Sequence, residues 1–435
     1  GYNVWREVYV NDAGNQIEKF GCSLEARYLQ IFKGDEIVFP EDGYQGVDIT
    51  ELAQEYADIH GDSLVNVSSE ERKKALVDFA LPKNISKMQS DMAKYNITYD
   101  KWFFESELHK SGAVKAVVDT LTEKGLTYEQ DGAVWYKNKQ VLTEKLLKQG
   151  KTQKYIDNLE LKDDVLIRQN GNPTYFTADI AYHKNKFDRG FTTLIDIWGA
   201  DHHGLVTRNF KKAIDVWGAD HHGHVRRMKT AMQALGIDSS RLDVVLMQLV
   251  KLVKNGEIVR MSKRTGKAIQ LGDLLEEVPV DSARFLFNTR EANTQMDFDL
   301  DLAVAQDNQN PVYYVQYAHA RICSIIKALA KDGINPRKCT DAELALLTAP
   351  EEKELIHHLA SYTNEIESAA KDYDPTKITR YVTQLATLFH KFYNACRVKG
   401  EDEALTQARL ALCESVKVVI KNVLTMFNIS CPESM

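Results

Sequence analysis

The sequence predicts an α/β domain followed by an all-α domain, and three observations carry that division. Gly1 to Val10 alternates as a strand does, and the polar turn Asn11-Asp12-Ala13-Gly14-Asn15-Gln16 leads into a helical pattern through Ile17, Phe20 and Leu24. Val244 to Val250 is an apolar run with the length and branching of a buried strand. After Asp297-Phe298-Asp299-Leu300-Asp301-Leu302 only helical periodicity follows. The clearest helix is Pro375 to Val398, with Asp374 as cap, Pro375 in the first turn, Gly400 just beyond the end, and an apolar stripe through Ile378, Tyr381, Val382, Leu385, Phe389 and Phe392. Such a stripe is packing. Asp281 to Phe287 reads as a short buried helix with Asp281 as its N-cap.

Size and composition bound the function. A chain of 435 residues has room for two or three domains, each with its own core. Apolar content of 44% and charged content of 27% are ordinary for a soluble protein. No run of 18 apolar residues exists and no signal-peptide pattern opens the sequence, so it reads as soluble and cytoplasmic with no membrane partner. Six scattered cysteines without Cys-x-x-Cys spacing argue for reduced thiols. A net charge of −7 gives no global sign of nucleic acid, so any such contact comes from local patches. Lys251 to Lys267, with six basic residues against the single acid Glu257, is one.

Between those ends the reading is mixed. Residues 51–127 read mainly helical, 128–139 strand-like, and Lys145 to Asp164 as a Lys-rich exposed excursion. After Pro173, Tyr175 and Asp179 fall four apart and share a helix face; a carboxylate beside an aromatic ring suits a guanidinium. The plainer reading is a first-turn dipole residue and a core tyrosine.

Ile258 to Gly266 places Arg260, Lys263 and Arg264 on a loop after a strand-like run, suited to neutralising phosphate charge; a solvated basic hairpin is the plainer alternative. Asn310 to Arg321 is dense in tyrosine, including Tyr313 and Tyr317, which suits stacking on splayed bases as well as core packing.

A 19-residue segment is repeated. Ile195-Asp-Ile-Trp-Gly-Ala-Asp-His-His-Gly204 recurs as Ile214-Asp-Val-Trp-Gly-Ala-Asp-His-His-Gly223. Each copy reads as a strand ending in a Gly-x-Asp turn at a sheet's carboxyl edge, where ligands bind. Adjacent histidines on a strand face opposite ways, so one copy offers at most part of a metal shell, and no protein-bound metal is expected. The two copies are expected to compete for one central strand. The second is favoured, because Gly223-His224-Val225 runs straight into the helix Arg226 to Leu235, and the losing copy should loop out.

These blocks carry a resemblance. Met261-Ser262-Lys263-Arg264, with Arg260 before it, resembles the Lys-Met-Ser-Lys-Ser signature of class I aminoacyl-tRNA synthetases. The Asn11 to Gln16 block, Tyr-x-x-x-Asp at Tyr175 and Asp179, Trp-Gly-Ala-Asp-His-His-Gly, Asn310 to Arg321 and the terminal Pro432-Glu433-Ser434-Met435 resemble arginyl-tRNA synthetases, in that family's order.

The resemblance implies a Rossmann-like class I catalytic domain over 1–295, with a connective insertion about 60–165. An α-helical anticodon-binding domain would cover 296–435. It implies ATP with Mg²⁺, L-arginine and an arginine-acceptor tRNA as partners of a monomer that forms arginyl-adenylate and passes the arginyl group to tRNA. Lys263, supported by Arg260 and Arg264, would stabilise pyrophosphate. Met261, Ser262, Gly218, Asp220 and His222, or Gly199 and Asp201 of the first copy, would line the ATP site. Tyr175 and Asp179 would bind arginine, and Tyr313, Tyr317 and Met435 would meet tRNA. The family's His-Ile-Gly-His-type block precedes Asn11 and is not in this sequence, so the chain reads as N-terminally truncated, with charging expected to be impaired. Two other readings stand beside this one: a non-catalytic tRNA-binding fragment, and a metal-dependent phosphoesterase on the doubled Asp-His-His.

Overall fold

A parallel pair of strands starts the fold. Strand β1 (Glu7–Val10) lies beside β2 (Lys101–Phe104), with Tyr9 opposite Phe103 and Val10 opposite Phe104. This computed structural model describes residues 4–148, 150–157, 161–190, 193–197, 212–218, 242–259 and 269–435. The chain divides into two units, residues 1–90, 98–249 and 261–268 in the first and 91–97, 250–260 and 269–435 in the second.

The stretch read as mainly helical holds a strand after all. Lys101-Trp-Phe-Phe104 is too short to show a period, and its aromatic bulk suits a pleated, half-buried surface. Between β1 and β2 run the helices α1 (Gly14–Lys33), α2 (Val47–His60) and α3 (Ser69–Lys94). In the first unit they close their own core on Leu24, Tyr28, Tyr56 and Leu76. Arg72 is 7% exposed there, and its guanidinium is fully used, on the carbonyls of Leu64, Val65 and Val67 and on Glu25 at 2.6 Å.

Helices α4 (Glu105–Lys110) and α5 (Ala113–Glu123) follow β2 directly. Strands β3 (Thr127–Gln130), β4 (Ala133–Tyr136) and β5 (Asp164–Ile167) form an antiparallel meander. The Lys-rich excursion between β4 and β5 is partly ordered as α6 (Asn138–Lys148) and α7 (Gln153–Asp157). Helix α8 (Tyr175–Asp188) starts where the Thr174 and Thr177 hydroxyls donate to the carbonyls of Val165 and Leu166, both at 2.7 Å.

The two repeat copies do not compete. Strands β6 (Thr193–Ile197), β7 (Lys212–Gly218) and β8 (Leu242–Met247) form one parallel sheet in the order β6-β7-β8. Ile195 pairs with Ile214, Asp196 with Asp215 and Ile197 with Val216, so each residue stands beside its own equivalent at the repeat's 19-residue offset. The expectation of a looped-out copy is corrected. A second strand of the same alternation satisfies its backbone groups by pairing with the first, and equal patterns keep the same faces in register.

The apolar run at 244–250 is likewise two pieces. It breaks at Gln248-Leu249, where Leu249 is 74% exposed, and β9 (Val250–Lys254) belongs to the second unit. There β9 pairs with β10 (Glu257–Val259) across an Asn255-Gly256 turn, both residues at positive φ, and in parallel with β11 (Met296–Asp299).

Helices α9 (Leu271–Glu277), α10 (Val280–Phe287) and α11 (Leu300–Val304) lead into the bundle. Its main helices are α12 (Pro311–Lys331), α13 (Asp341–Leu344), α14 (Pro350–Ala360), α15 (Tyr362–Asp372), α16 (Thr376–Ala395) and α17 (Glu403–Met426). The core is built on Val315, Ile322, Leu385, Phe389, Phe392 and Val416. Asp374 accepts from the Thr376 N–H as the sequence predicts. Asp281 does not cap α10; its carboxylate turns instead to Gln316 and Ser430. Among the described residues no helix is long and apolar enough to cross a membrane.

Two outcomes check this fold. Amide hydrogen exchange should protect both β6 and β7, with β7 protected along its length; free exchange throughout either copy would contradict the paired register. Phe389→Ala should cost about 3–5 kcal/mol in denaturant unfolding, because Phe389 is fully buried in the bundle core.

Candidate active site

The carboxyl ends of β1 and β2 converge on one place. After β1 the chain turns through Asn11-Asp12-Ala13 to Gly14, whose φ of 73° is the left-handed region that glycine enters freely, and α1 begins. After β2, α4 begins at Glu105. The two ends are tied together by the Ser106 N–H donating to Asp12 Oδ1 at 2.8 Å. Opposite them α8 presents Tyr175 and Asp179 from its first turns.

The floor of this site is aromatic. Tyr9, Phe103 and Tyr182 pack ring against ring, with Tyr182 4.6 Å from both of the others. Glu7 anchors it from beneath, accepting from Tyr182 at 2.7 Å and from both ends of the Arg189 guanidinium at 2.6 and 2.9 Å. Burial works to raise the Glu7 pKa, but Arg189 and Tyr182 outweigh it and the carboxyl ends below its usual range. Lys186, 6% exposed, sets its ammonium 4.1 Å over the Tyr182 ring.

Above that floor the charge is negative. Glu105 is only 3% exposed, and burial, reinforced by Asp12, pushes its pKa above the usual carboxylate range against the pull of Tyr9 and His109. His109 lies 3.4 Å from its Oε1. The Tyr9 hydroxyl is enclosed without a well-formed hydrogen bond, and burial together with Glu105 and Asp179 raises its pKa strongly. Tyr175 is likewise raised, by burial first and then by Glu105 and Tyr44. A buried carboxylate among phenols favours a cation with several donors.

The sequence named Tyr175 and Asp179 for this place but not Glu105 or Tyr9. Glu105 follows the strand that was read as helix; recognising Lys-Trp-Phe-Phe as a strand would have put Glu105 at a carboxyl edge.

The other named residues fall in three groups. Gly218 ends β7 in the first unit, where its backbone pairs with Met247. Gly199, Asp201, Asp220, His222, Arg260, Met261, Ser262, Lys263 and Arg264 lie outside the described residues. Tyr313, Tyr317 and Met435 are in the second unit. The rings of Tyr313 and Tyr317 are stacked 6.5 Å apart at 4°, and Arg321 lies 5.2 Å over Tyr317.

The chain's last residues are strapped onto α12. Gln316 donates to the Ser430 carbonyl at 2.9 Å, Ser430 N–H donates to Asp281 at 3.1 Å, and His319 Nδ1–H donates to the Pro432 carbonyl at 2.8 Å. Burial holds the His319 pKa below its usual value. Met435 thereby lines a cavity of about 350 Å³ with Tyr313, Asn310 and Gln316. Among the described residues no cluster of three or more His, Cys, Asp or Glu side chains is arranged to hold a metal ion.

Comparison with known proteins supplies the family. A family described as the DALR anticodon binding domain matches residues 315–435. The chain is 52% identical over 437 residues to an arginine–tRNA ligase of Ruminiclostridium cellulolyticum, covering all of this chain and 71% of that protein. It is 54% identical over 436 residues to the arginine–tRNA ligase of Caldanaerobacter subterraneus, again over 100% of this chain and 71% of the relative. A solved Campylobacter jejuni structure, assigned as an arginyl-tRNA synthetase, superposes with a TM-score of 0.76 at 30% identity, over 99% of this chain and 84% of that one. The fold is that of class I synthetases, helical at its carboxyl end, as the motifs led one to expect. The chain belongs to the arginyl-tRNA synthetase family.

Proposed function

We propose that the chain ligates L-arginine to an arginine-acceptor tRNA, with ATP consumed through an arginyl-adenylate. The observation that carries this reading in the molecule itself is the buried carboxylate Glu105 at the carboxyl end of β2, which acts on Tyr175 and, together with Asp179, on the Tyr9 hydroxyl. A guanidinium is planar, always charged and carries five donors, so it suits a buried carboxylate and the faces of tyrosine rings. Relatives named arginine–tRNA ligase support the same substrate.

In the first step the arginine carboxylate attacks the α-phosphate of ATP, and pyrophosphate leaves. A ribose hydroxyl of the tRNA then takes the arginyl group and AMP leaves. No side chain has to act as a nucleophile; positioning and charge stabilisation do the work. Lys263, helped by Arg260 and Arg264, neutralises the leaving pyrophosphate. Met261, Ser262, Gly218, Asp220 and His222, or Gly199 and Asp201, line the nucleotide site, and Mg²⁺ arrives with the ATP phosphates. We assign catalysis to 1–295 and anticodon binding to 296–435, where Tyr313, Tyr317 and Met435 meet the tRNA. The chain acts as a monomer in the cytoplasm, a reading that its six unpaired cysteines support.

Charging of bulk tRNA by the purified chain with radiolabelled amino acids is the test. Label should enter tRNA from arginine alone; charging with another amino acid, or none with arginine, contradicts the assignment. Asp179→Asn should raise the arginine KM at least about tenfold, since a charge-assisted bond to a guanidinium is worth roughly 1.5–3 kcal/mol. Substituting Lys263→Ala should lower kcat and leave the arginine KM nearly unchanged.

A further inference from the structure

Residues 430–435 form neither helix nor strand, so no hydrogen-bond ladder of their own fixes them. A terminal segment of that kind is ordered only where other elements tie it down. One stripe of α12 does the tying. Gln316, His319, Cys323 and Lys327 fall three or four apart, which puts them on one helix face. Gln316 Nε2 donates to the Ser430 carbonyl and to Asp281 Oδ2, both at 2.9 Å, and Asp281 Oδ1 accepts the Ser430 N–H at 3.1 Å. The next hold is His319, whose Nδ1–H donates to the Pro432 carbonyl at 2.8 Å. Lys327 pairs with Glu433 at 3.0 Å, but both side chains are mostly exposed, so that pair adds little.

Beyond Pro432 the chain bends at Glu433 and turns back. Pro432 is held at His319, whereas Met435 lines the cavity with Tyr313, Asn310 and Gln316, nearer the start of α12. His319 is therefore the last buried hold before the bend. It is 3% exposed and does not line the cavity, so a molecule at the cavity does not touch it. Met435 is 52% exposed and open to a partner. Without the His319 donor the Pro432 carbonyl loses its partner and residues 432–435 regain freedom. Binding would then have to remove that freedom again.

We propose that His319 is a positioning residue for tRNA binding: its bond to the Pro432 carbonyl sets the bend that presents Met435 at the cavity beside Tyr313. The inference rests on the reading of Tyr313 and Met435 as residues that meet the tRNA. Gln316 and Asp281 fix where the strap begins, and His319 fixes the point from which it turns back. His319 acts only through the strap, so its contribution vanishes when the residue it presents is removed.

Binding of a fluorescently labelled arginine-acceptor tRNA transcript to the 435-residue chain, followed by anisotropy at fixed salt, tests this. The variants are His319→Leu, His319→Asn, a chain lacking Met435, and His319→Leu in that shortened chain. Loss of Met435 should weaken binding about tenfold and His319→Leu about fivefold. His319→Asn places an amide N–H near the Nδ1 position and should bind within about twofold of the unaltered chain. In the chain lacking Met435, His319→Leu should change the affinity by less than about twofold. If loss of Met435 leaves binding unchanged, the reading of Met435 falls and the positioning role with it. If that loss weakens binding while His319→Leu does not, the positioning role alone is overturned. It is also overturned if His319→Leu weakens binding equally with and without Met435, or if His319→Asn binds as poorly as His319→Leu. Should the leucine variant not fold, His319→Gln, whose donor sits one bond further out, takes its place with the same expectations.

Discussion

A carboxylate with 3% of its surface exposed, at the end of a parallel strand pair, sets the terms for the first unit. Burial, reinforced by Asp12, raises the Glu105 pKa above the usual carboxylate range, and a nearby cation would lower it again. His109 gives partial relief from one side. The aromatic floor of Tyr9, Phe103 and Tyr182 keeps the dielectric low beneath it, and the Glu7–Arg189 pair fixes that floor. Strand pairing and the Asp12–Ser106 tie hold Asp12 and Glu105 close together against their own repulsion. Stability sacrificed in this way is characteristic of a site that a substrate completes.

Much of this was legible in the sequence, for stated reasons. Tyr175 and Asp179 were found because helical spacing puts residues four apart on one face. The motif order gave the family, because several short blocks in sequence are far more specific than any one of them. The long helix after Asp374 was legible through its stripe and cap. What stayed hidden depends on pairing between distant segments. The four-residue strand β2 has no period of its own and exists because β1 lies beside it, 94 residues away in the Tyr9–Phe103 pair. Glu105 was missed with it. Asp281 looked like a cap by position, yet its carboxylate is taken by Ser430, 149 residues on.

The duplicated segment shows the same limit. Sequence logic allowed one copy in one central strand, since a fold of fixed plan has one such place. Backbone chemistry is indifferent to plan: two strands of equal alternation pair as readily as two different ones, and the register follows the repeat length. In the second unit, the strap of residues 430–433 on α12 is equally invisible in sequence, since it is held by a histidine and a glutamine whose partners are backbone carbonyls.

The central claim is that Glu105 takes part in holding a guanidinium. The most direct measurement is the titration of the Glu105 carboxyl by ¹³C NMR, with and without saturating arginine. In the free protein the group should titrate above 4.5, the ordinary glutamate value, and arginine should draw its midpoint down, because the bound cation favours the carboxylate. By linkage, arginine affinity then falls as the pH drops through the raised midpoint. A Glu105 that titrates normally, or one that arginine leaves unmoved, would contradict the account.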